Sequence, residues 1–241
     1  MELFELLLII GMAGLLSILA QYFGLLTFDG AIASLAIGLI IGLFGSTTWL
    51  LILIIFTAIG FAATLMGLTR KRKRGLQEGR FGERMYKNVI AVAAVPCLIS
   101  VLYFVMDDHY EMMTIAYISS IAVAAADTIA SEIGVRDKRV WMITTFKRVE
   151  PGTDGGISVL GTTAALAAAM VTTGIGWILI FGLTIELLII VPVVAGMLGC
   201  FMDSLLGATI ERRGLISKYT NNAVTALFGA VFAVAVYMCI F

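Results

Sequence analysis

An all-α fold, a polytopic bundle of about eight transmembrane helices with both termini outside, is what the sequence predicts, and three observations predict it. Hydrophobic residues make up 61% of the 241 positions and charged residues only 13%, against about 25% charged in a soluble domain. Mean hydropathy is +1.05. The apolar residues fall in runs long enough to span a bilayer, which takes about 20 residues per helix. All sixteen Lys and Arg fall between those runs, on one side of the predicted membrane.

The runs are 3–25, 30–45, 49–69, 88–106, 112–134, 157–181, 184–210 and 222–241. They are too continuous for the alternating strands of a barrel, so backbone groups in lipid must be satisfied within helices. The chain reads as a single transmembrane domain over 1–241, with loops 70–87, 135–156 and 211–221 on one face. The first loop carries eight cations, including the run Arg70–Arg74, which reads as a topology determinant and a contact for anionic lipid. The second carries Arg136, Lys138, Arg139, Lys147 and Arg148, and the third Arg212, Arg213 and Lys218. The positive-inside rule makes this face cytoplasmic. The opposite side carries Glu2, Glu5, Asp107, Asp108, Glu111 and Glu186 and no cation. The expected location is a cell membrane, multi-pass, with the polar chemistry on the cytoplasmic side.

The segment 157–210 is interrupted by Gly174, Gly176, Gly182 and Pro192. A split at 182–184 gives two spans, and a broken or re-entrant helix near Pro192 is the alternative. Gly30, Ser34, Gly38 and Gly42 recur every four residues on the second span and form a small-residue face for close helix approach. The alanines of the fifth span, Ala122, Ala124, Ala125, Ala126 and Ala130, turn its polar residues toward other helices rather than lipid. Cys97, Cys200 and Cys239 each lie alone in apolar sequence and read as small buried hydrophobes. The only histidine, His109, is on the far side, so no histidine-based acid–base chemistry is expected.

An ionised carboxylate inside a span costs about 3 kcal/mol on insertion scales and marks function by default. Asp127 and Glu132 fall within the fifth span and Asp203 within the seventh, all toward the cation-rich end. Asp127 with Ser131, and Thr128 with Glu132, are pairs four residues apart, predicting one wide polar stripe. Carboxylates gathered at one depth without an intramembrane cation suggest Mg²⁺, which binds through one or two carboxylates plus substrate phosphates. Structural hydrogen bonding and a proton or ion path are the alternatives. Between these spans lie Thr144-Thr145-Phe146-Lys147-Arg148 and Pro151-Gly152-Thr153-Asp154-Gly155-Gly156-Ile157-Ser158. The second stretch opens a helix and could cradle phosphate on backbone amides, with Lys147, Arg148 and Thr153 as further donors, although it lacks the GK[ST] of a Walker motif. Arg84, Asn88 and Asn222 (with its neighbour Asn221) stand near helix starts as further site candidates; helix capping is the alternative for the asparagines.

Four stretches carry a resemblance: Asp127 to Gly134, Thr144 to Lys147, Pro151 to Ser158, and Asp203-Ser204-Leu205-Leu206-Gly207-Ala208-Thr209. In this order, and over nearly the whole chain, they resemble an uncharacterised-domain integral membrane family of archaea, bacteria, plants and animals that includes plant phytyl-phosphate kinase. That family looks distantly similar to dolichol kinase, phytol kinase and phosphatidate cytidylyltransferase, which use CTP. The resemblance implies a nucleotide and Mg²⁺ held by Asp127, Glu132, Lys147, Gly155, Gly156 and Ser158, with Asp203 and Ser204 completing the site. Ser131, Thr145, Arg148, Gly152, Thr153, Asn88, Arg84 and Asn222 join the expected nucleotide and phosphate contacts, with metal on Asp127, Glu132 and Asp203. Two positions depart from the family pattern: Val92 stands where a second polar residue often follows Asn88, and Asp154 where relatives have serine.

The function implied is CTP-dependent phosphorylation of an isoprenoid monophosphate, such as phytyl or geranylgeranyl phosphate, to the diphosphate. Nucleotidyl transfer to a lipid phosphate and ion-coupled transport are the alternatives. Expected partners are the isoprenoid phosphate, the nucleotide and membrane lipids; nucleic acid is not among them, and a homodimer is a candidate assembly.

Overall fold

The computed structural model describes residues 2–74, 82–106, 109–184 and 186–241, leaving aside the side chains of 67 and 69–74. The Arg70–Arg74 side chains, Asp107 and Asp108, named above, and Arg80, another cation of the first loop, lie outside the described residues. Among the described residues, eight helices are long and apolar enough to cross a membrane. They are α1 (Leu3–Tyr22), α2 (Phe28–Ile40, continued by a π turn Ile41–Gly45), α3 (Thr47–Arg74), α4 (Tyr86–Met106), α5 (Tyr110–Gly134), α6 (Val159–Phe181), α7 (Ile190–Leu206, continued by a π turn Gly207–Glu211) and α8 (Lys218–Ile240).

Local sequence sets the helix starts. The hydroxyls of Thr27, Ser46, Ser158 and Ser217 accept the amides of Gly30, Trp49, Gly161 and Thr220 at the heads of α2, α3, α6 and α8, satisfying donors that lipid cannot. Asn88 Oδ1 reaches back to the Met85 amide at 3.1 Å, so its side chain serves the start of α4. The split of 157–210 falls where expected. Gly182 ends α6 with φ +74°, and Pro192 is the third residue of α7, in the first turn, where a missing N–H costs no helical bond. No break occurs there.

α5 is the centre of the bundle, with 83% of its spanning window buried, against 44% or less in the other spans. It packs on α3, α4, α6, α7 and α8. Tyr117 stacks on Trp49 of α3, ring centroids 4.4 Å apart, and donates to the Trp49 carbonyl at 2.7 Å. Lipid offers no hydrophobic drive between helices, so close contact has to hold them together. The small-residue face of α2 does this against α1: a Cβ on Gly38 would lie 2.8 Å from Ala13 Cβ, and one on Gly42 would meet Ile9. The segment before α4 is strapped to the α1–α2 turn, with Arg84 N–H donating to the Leu25 carbonyl at 3.0 Å and Thr27 N–H to the Arg84 carbonyl at 3.1 Å.

One element goes beyond the all-helical expectation. Within the α5–α6 connection, β1 (Val140–Met142) pairs antiparallel with β2 (Arg148–Val149) and β3 (Gly156–Ile157), in the order β2-β1-β3. Short strands bounded by Thr, Pro and Gly carry too weak a periodicity to be read from sequence. The cysteines are all free, but only Cys200 is buried; Cys97 is half-buried and Cys239 exposed.

Gly38→Leu is expected to separate α1 from α2 and to cost about 1–3 kcal/mol, the usual range for overpacking, read as an earlier unfolding midpoint in mixed detergent–denaturant titration. An unchanged midpoint would mean that this contact does not hold the two helices.

Candidate active site

The polar residues of α5 divide between two faces. Asp127, Ser131 and Gly134 recur at helical spacing and line a cavity of about 330 Å³. Thr128 and Glu132 face α3 instead. Glu132 is buried and its Oε1 accepts from Thr64 Oγ1 at 3.0 Å, and Thr64 in turn accepts from Arg84 Nη2 at 3.2 Å. The single wide stripe expected from sequence is therefore two separate faces. Five residues of helix separate Asp127 from Glu132, a rotation of about 140° at 3.6 residues per turn. Both side chains cannot enter one cavity.

The cavity lies between α5, α6 and α7 and is rimmed at the cation-rich end by the turn 152–158 and the first residue of α8, Lys218. Asp203 of α7 lies close enough to Asp127 for the two carboxylates to interact directly. Asp203 Oδ1 is buried without a hydrogen-bond partner. Two carboxylates this close need a shared proton or a cation between them. Lys218 is near enough to interact electrostatically with both Asp203 and Glu211. Asn221, fully buried, donates to the Asp203 carbonyl at 3.1 Å and to Glu211 Oε2 at 3.0 Å, fixing α8 against the end of α7. The π turn Gly207–Glu211 shifts the register there, a feature often found at functional sites.

The glycine turn is held on this π turn. Gly155 has φ +77°, and a Cβ on it would lie 2.7 Å from the Ala208 backbone nitrogen; Gly207 offers the matching bare surface. Gly155 is thus needed for backbone-to-backbone packing of the turn on α7. The Gly156 amide is donated to the Thr153 carbonyl at 2.9 Å, inside the turn, rather than kept for a ligand. Ser158 Oγ caps α6 through the Gly161 amide at 3.0 Å.

The cavity therefore gathers Asp127, Ser131, Gly152, Thr153, Gly155, Gly156, Ser158, Asp203 and Ser204 from the sequence-predicted set. It does not gather Thr145, Lys147 or Arg148, which are exposed on and beside the β1–β2 turn, where Phe146 takes φ +52° and Arg148 lies over the Trp141 ring at 6.0 Å. Glu132, Arg84 and Asn88 stand elsewhere; Arg84 and Asn88 line a smaller, mostly apolar cavity among the first four helices. Asn222 is half-buried and outside the cavity, while its neighbour Asn221 makes the contacts. Sequence reading missed Lys218, counted only as a topology charge. Its position just after the Ser217 cap was the available signal.

Among the described residues, no three His, Cys, Asp or Glu side chains converge as a metal site. Asp127 and Asp203 by themselves suit Mg²⁺, which takes one or two carboxylates and completes its shell with water and phosphate oxygens. The orphaned Asp203 Oδ1 is the atom that such an ion would satisfy.

Fold and site together define an eight-span integral membrane protein with a carboxylate pair and a glycine turn at its cation-rich end. The chain belongs to the family described as Integral membrane protein DUF92, whose profile matches residues 11–236. An uncharacterized membrane protein of Methanocaldococcus jannaschii is 32% identical over 210 residues, 87% of this chain and 84% of that protein. Protein VTE6, chloroplastic, of Arabidopsis thaliana is 33% identical over 186 residues, 75% of this chain and 54% of VTE6. Protein PGR of the same plant is 31% identical over 190 residues, 69% of this chain and 65% of PGR. No solved structure matches the chain.

Gly155→Ala is expected to lower stability by about 2 kcal/mol or more, since it combines a positive φ with a clash against backbone. Its thermal midpoint in detergent, compared with that of Gly174→Ala, where a Cβ meets nothing within 4 Å, checks this; equal midpoints would refute it.

Proposed function

We propose that the protein is an isoprenyl-phosphate kinase that transfers the terminal phosphoryl group of a nucleotide, CTP by the resemblance, to an isoprenoid monophosphate at the cytoplasmic face of a cell membrane. The observation that carries this reading is the Asp127–Asp203 pair beside Lys218 and the glycine turn in one cavity of about 330 Å³. The resemblance of these motifs to a family that includes plant phytyl-phosphate kinase supports the substrate class.

Phosphoryl transfer demands positioning and neutralisation more than covalent participation by the protein. The nucleophile is an oxygen of the lipid monophosphate. Its second ionisation falls near about pH 6 in phosphomonoesters, so it needs no strong base. It forms a bond to the terminal phosphorus of the nucleotide as the bond to the bridging oxygen breaks, and the nucleoside diphosphate leaves with that electron pair. Mg²⁺ held by Asp127 and Asp203 would neutralise charge on the transferring group. Lys218 adds a fixed positive charge at the mouth. Ser204 offers a hydroxyl, whereas those of Thr153 and Ser131 are donated to the Glu150 and Thr128 carbonyls at 2.7 and 2.9 Å. Asp154, an acid in the turn, repels free phosphate and makes binding depend on a cation.

Incubating the purified protein with isoprenyl monophosphates, Mg²⁺ and each nucleotide in turn should yield diphosphate and nucleoside diphosphate in equal amounts by mass spectrometry. Transfer of label from the α-phosphate of CTP would instead mean nucleotidyl transfer. Asp127→Asn and Asp203→Asn should each cost about 10²-fold or more in turnover while the protein stays folded. Glu132→Gln should stay within about threefold, because its partner is Thr64. Loss of activity in Glu132→Gln equal to that in Asp203→Asn, with folding intact, would overturn the two-carboxylate site. Sidedness is read with an impermeant maleimide on a cysteine-free background: Glu186→Cys should label in intact cells and Leu215→Cys only after permeabilisation.

A further inference from the structure

The cavity changes character with depth. Its shallow end, toward the cation-rich loops, holds Ser131, Asp154, Ser204 and Lys218. Its apolar wall is formed by Ala165 of α6 and Cys200 and Phe201 of α7 beside the carboxylate pair, and by Met197 of α7 beyond it. Ala165 and Cys200 belong to a tightly packed cluster with Ala126 and Ala169, against which Met197 rests. This wall carries no donor or acceptor beyond the weakly polar thiol of Cys200.

α5 forms the inner wall of the cavity, and it is the buried helix of the bundle. The turn 152–158 and Lys218 rim the shallow end, where Gly152, Asp154 and Lys218 are exposed. Between α6 and α7, which both lean on α5, Thr162, Met197 and Phe201 are only partly covered; Phe201 keeps 36% of its surface. Along α6 the same stripe continues outward as Leu166 and Met170, 42% and 56% exposed, one and two turns further from the cation-rich end. An apolar track thus leads from the carboxylate pair to the lipid-facing surface.

We infer that the cleft between α6 and α7 is the path of the substrate's hydrocarbon tail, with Thr162, Met197 and Phe201 as its lips and Ala165 on its inner wall. The inference rests on the kinase reading and assigns residues to substrate selection at that site. The occupant is a linear lipid monophosphate. Its anionic head matches Lys218 and a cation on the carboxylate pair, and its chain matches an apolar wall that meets the bilayer at the depth of those carboxylates. The lips therefore recognise chain rather than head, so they govern KM for long substrates and leave short ones unaffected.

The test uses the full chain in nanodiscs. Thr162→Trp, at a half-exposed position that tolerates bulk, should raise KM for a C20 isoprenyl monophosphate about tenfold or more. It should leave kcat/KM for a C5 isoprenyl monophosphate within about twofold. Leu198→Trp, on the outer face of α7 and outside the cavity, should alter neither. Equal change for both chain lengths, or no change for either, overturns the assignment. A photoreactive benzoylphenylalanine replacing Phe201 should cross-link to a C20 alkyl phosphate, and the same group replacing Leu198 should give at most background adduct. Absence of adduct at 201, or equal adduct at both, also overturns it. Should no nucleotide support diphosphate formation on any substrate, the kinase reading fails, and the cross-linking arm decides the tail path without it.

Discussion

Placing two carboxylates against each other inside a membrane-spanning bundle is expensive, and most of the structure around Asp127 and Asp203 acts to make that arrangement stable. Each would avoid lipid and each would repel the other if both were ionised. The protein answers with enclosure. α5 is sunk in the bundle, so Asp127 meets only other helices and the cavity. α7 presents Asp203 from the opposite wall, and a π turn directly below allows Asn221 to tie α8 to both the Asp203 carbonyl and Glu211. The price of that enclosure is a demand for positive charge, which Lys218 meets in part and a bound cation would complete.

Small residues make the enclosure geometrically feasible. Without a hydrophobic drive in lipid, helices associate by close packing, and the contacts nearest the site are backbone against backbone. Gly134 of α5 approaches Gly161 of α6, and Gly155 of the turn approaches Ala208 and Gly207 of α7. A glycine-rich sequence of this type invites a reading as a phosphate cradle. Here the Gly156 amide is spent inside the turn and Gly155 is required by its neighbour. The turn acts as a lid fitted to α7, and the charge that faces a ligand comes from side chains.

Much of this was legible in the chain. Eight apolar runs gave the span count, the gathering of all sixteen cations in three loops checked it, and eight membrane-length helices are found among the described residues. The stripe of Gly30, Ser34, Gly38 and Gly42 identified a packing face, and Gly38 and Gly42 do press on α1. Asp127, Ser131, Asp203 and Ser204, grouped from sequence, line one cavity. Glu132 was not, because spacing along a helix gives angle but not which neighbour occupies each face. Lys147 and Arg148 were grouped with the site through adjacency to the glycine turn, yet a hairpin only a few residues long turns them outward. Lys218 was overlooked because it is distant in sequence from every motif and its charge already had an explanation in topology.

Sequence by itself determined the membrane class, the eight spans, the end of the bundle toward which cations and intramembrane acids gather, and the residue types available there. These follow from solvent: apolar length, charge exclusion and unsatisfied backbone groups act on each segment independently. Which acids meet, which cation joins them and where an apolar path leaves the site were decided only by the tertiary structure. Those relations depend on the rotation of one helix against another, and that rotation is set by packing between segments far apart in the chain.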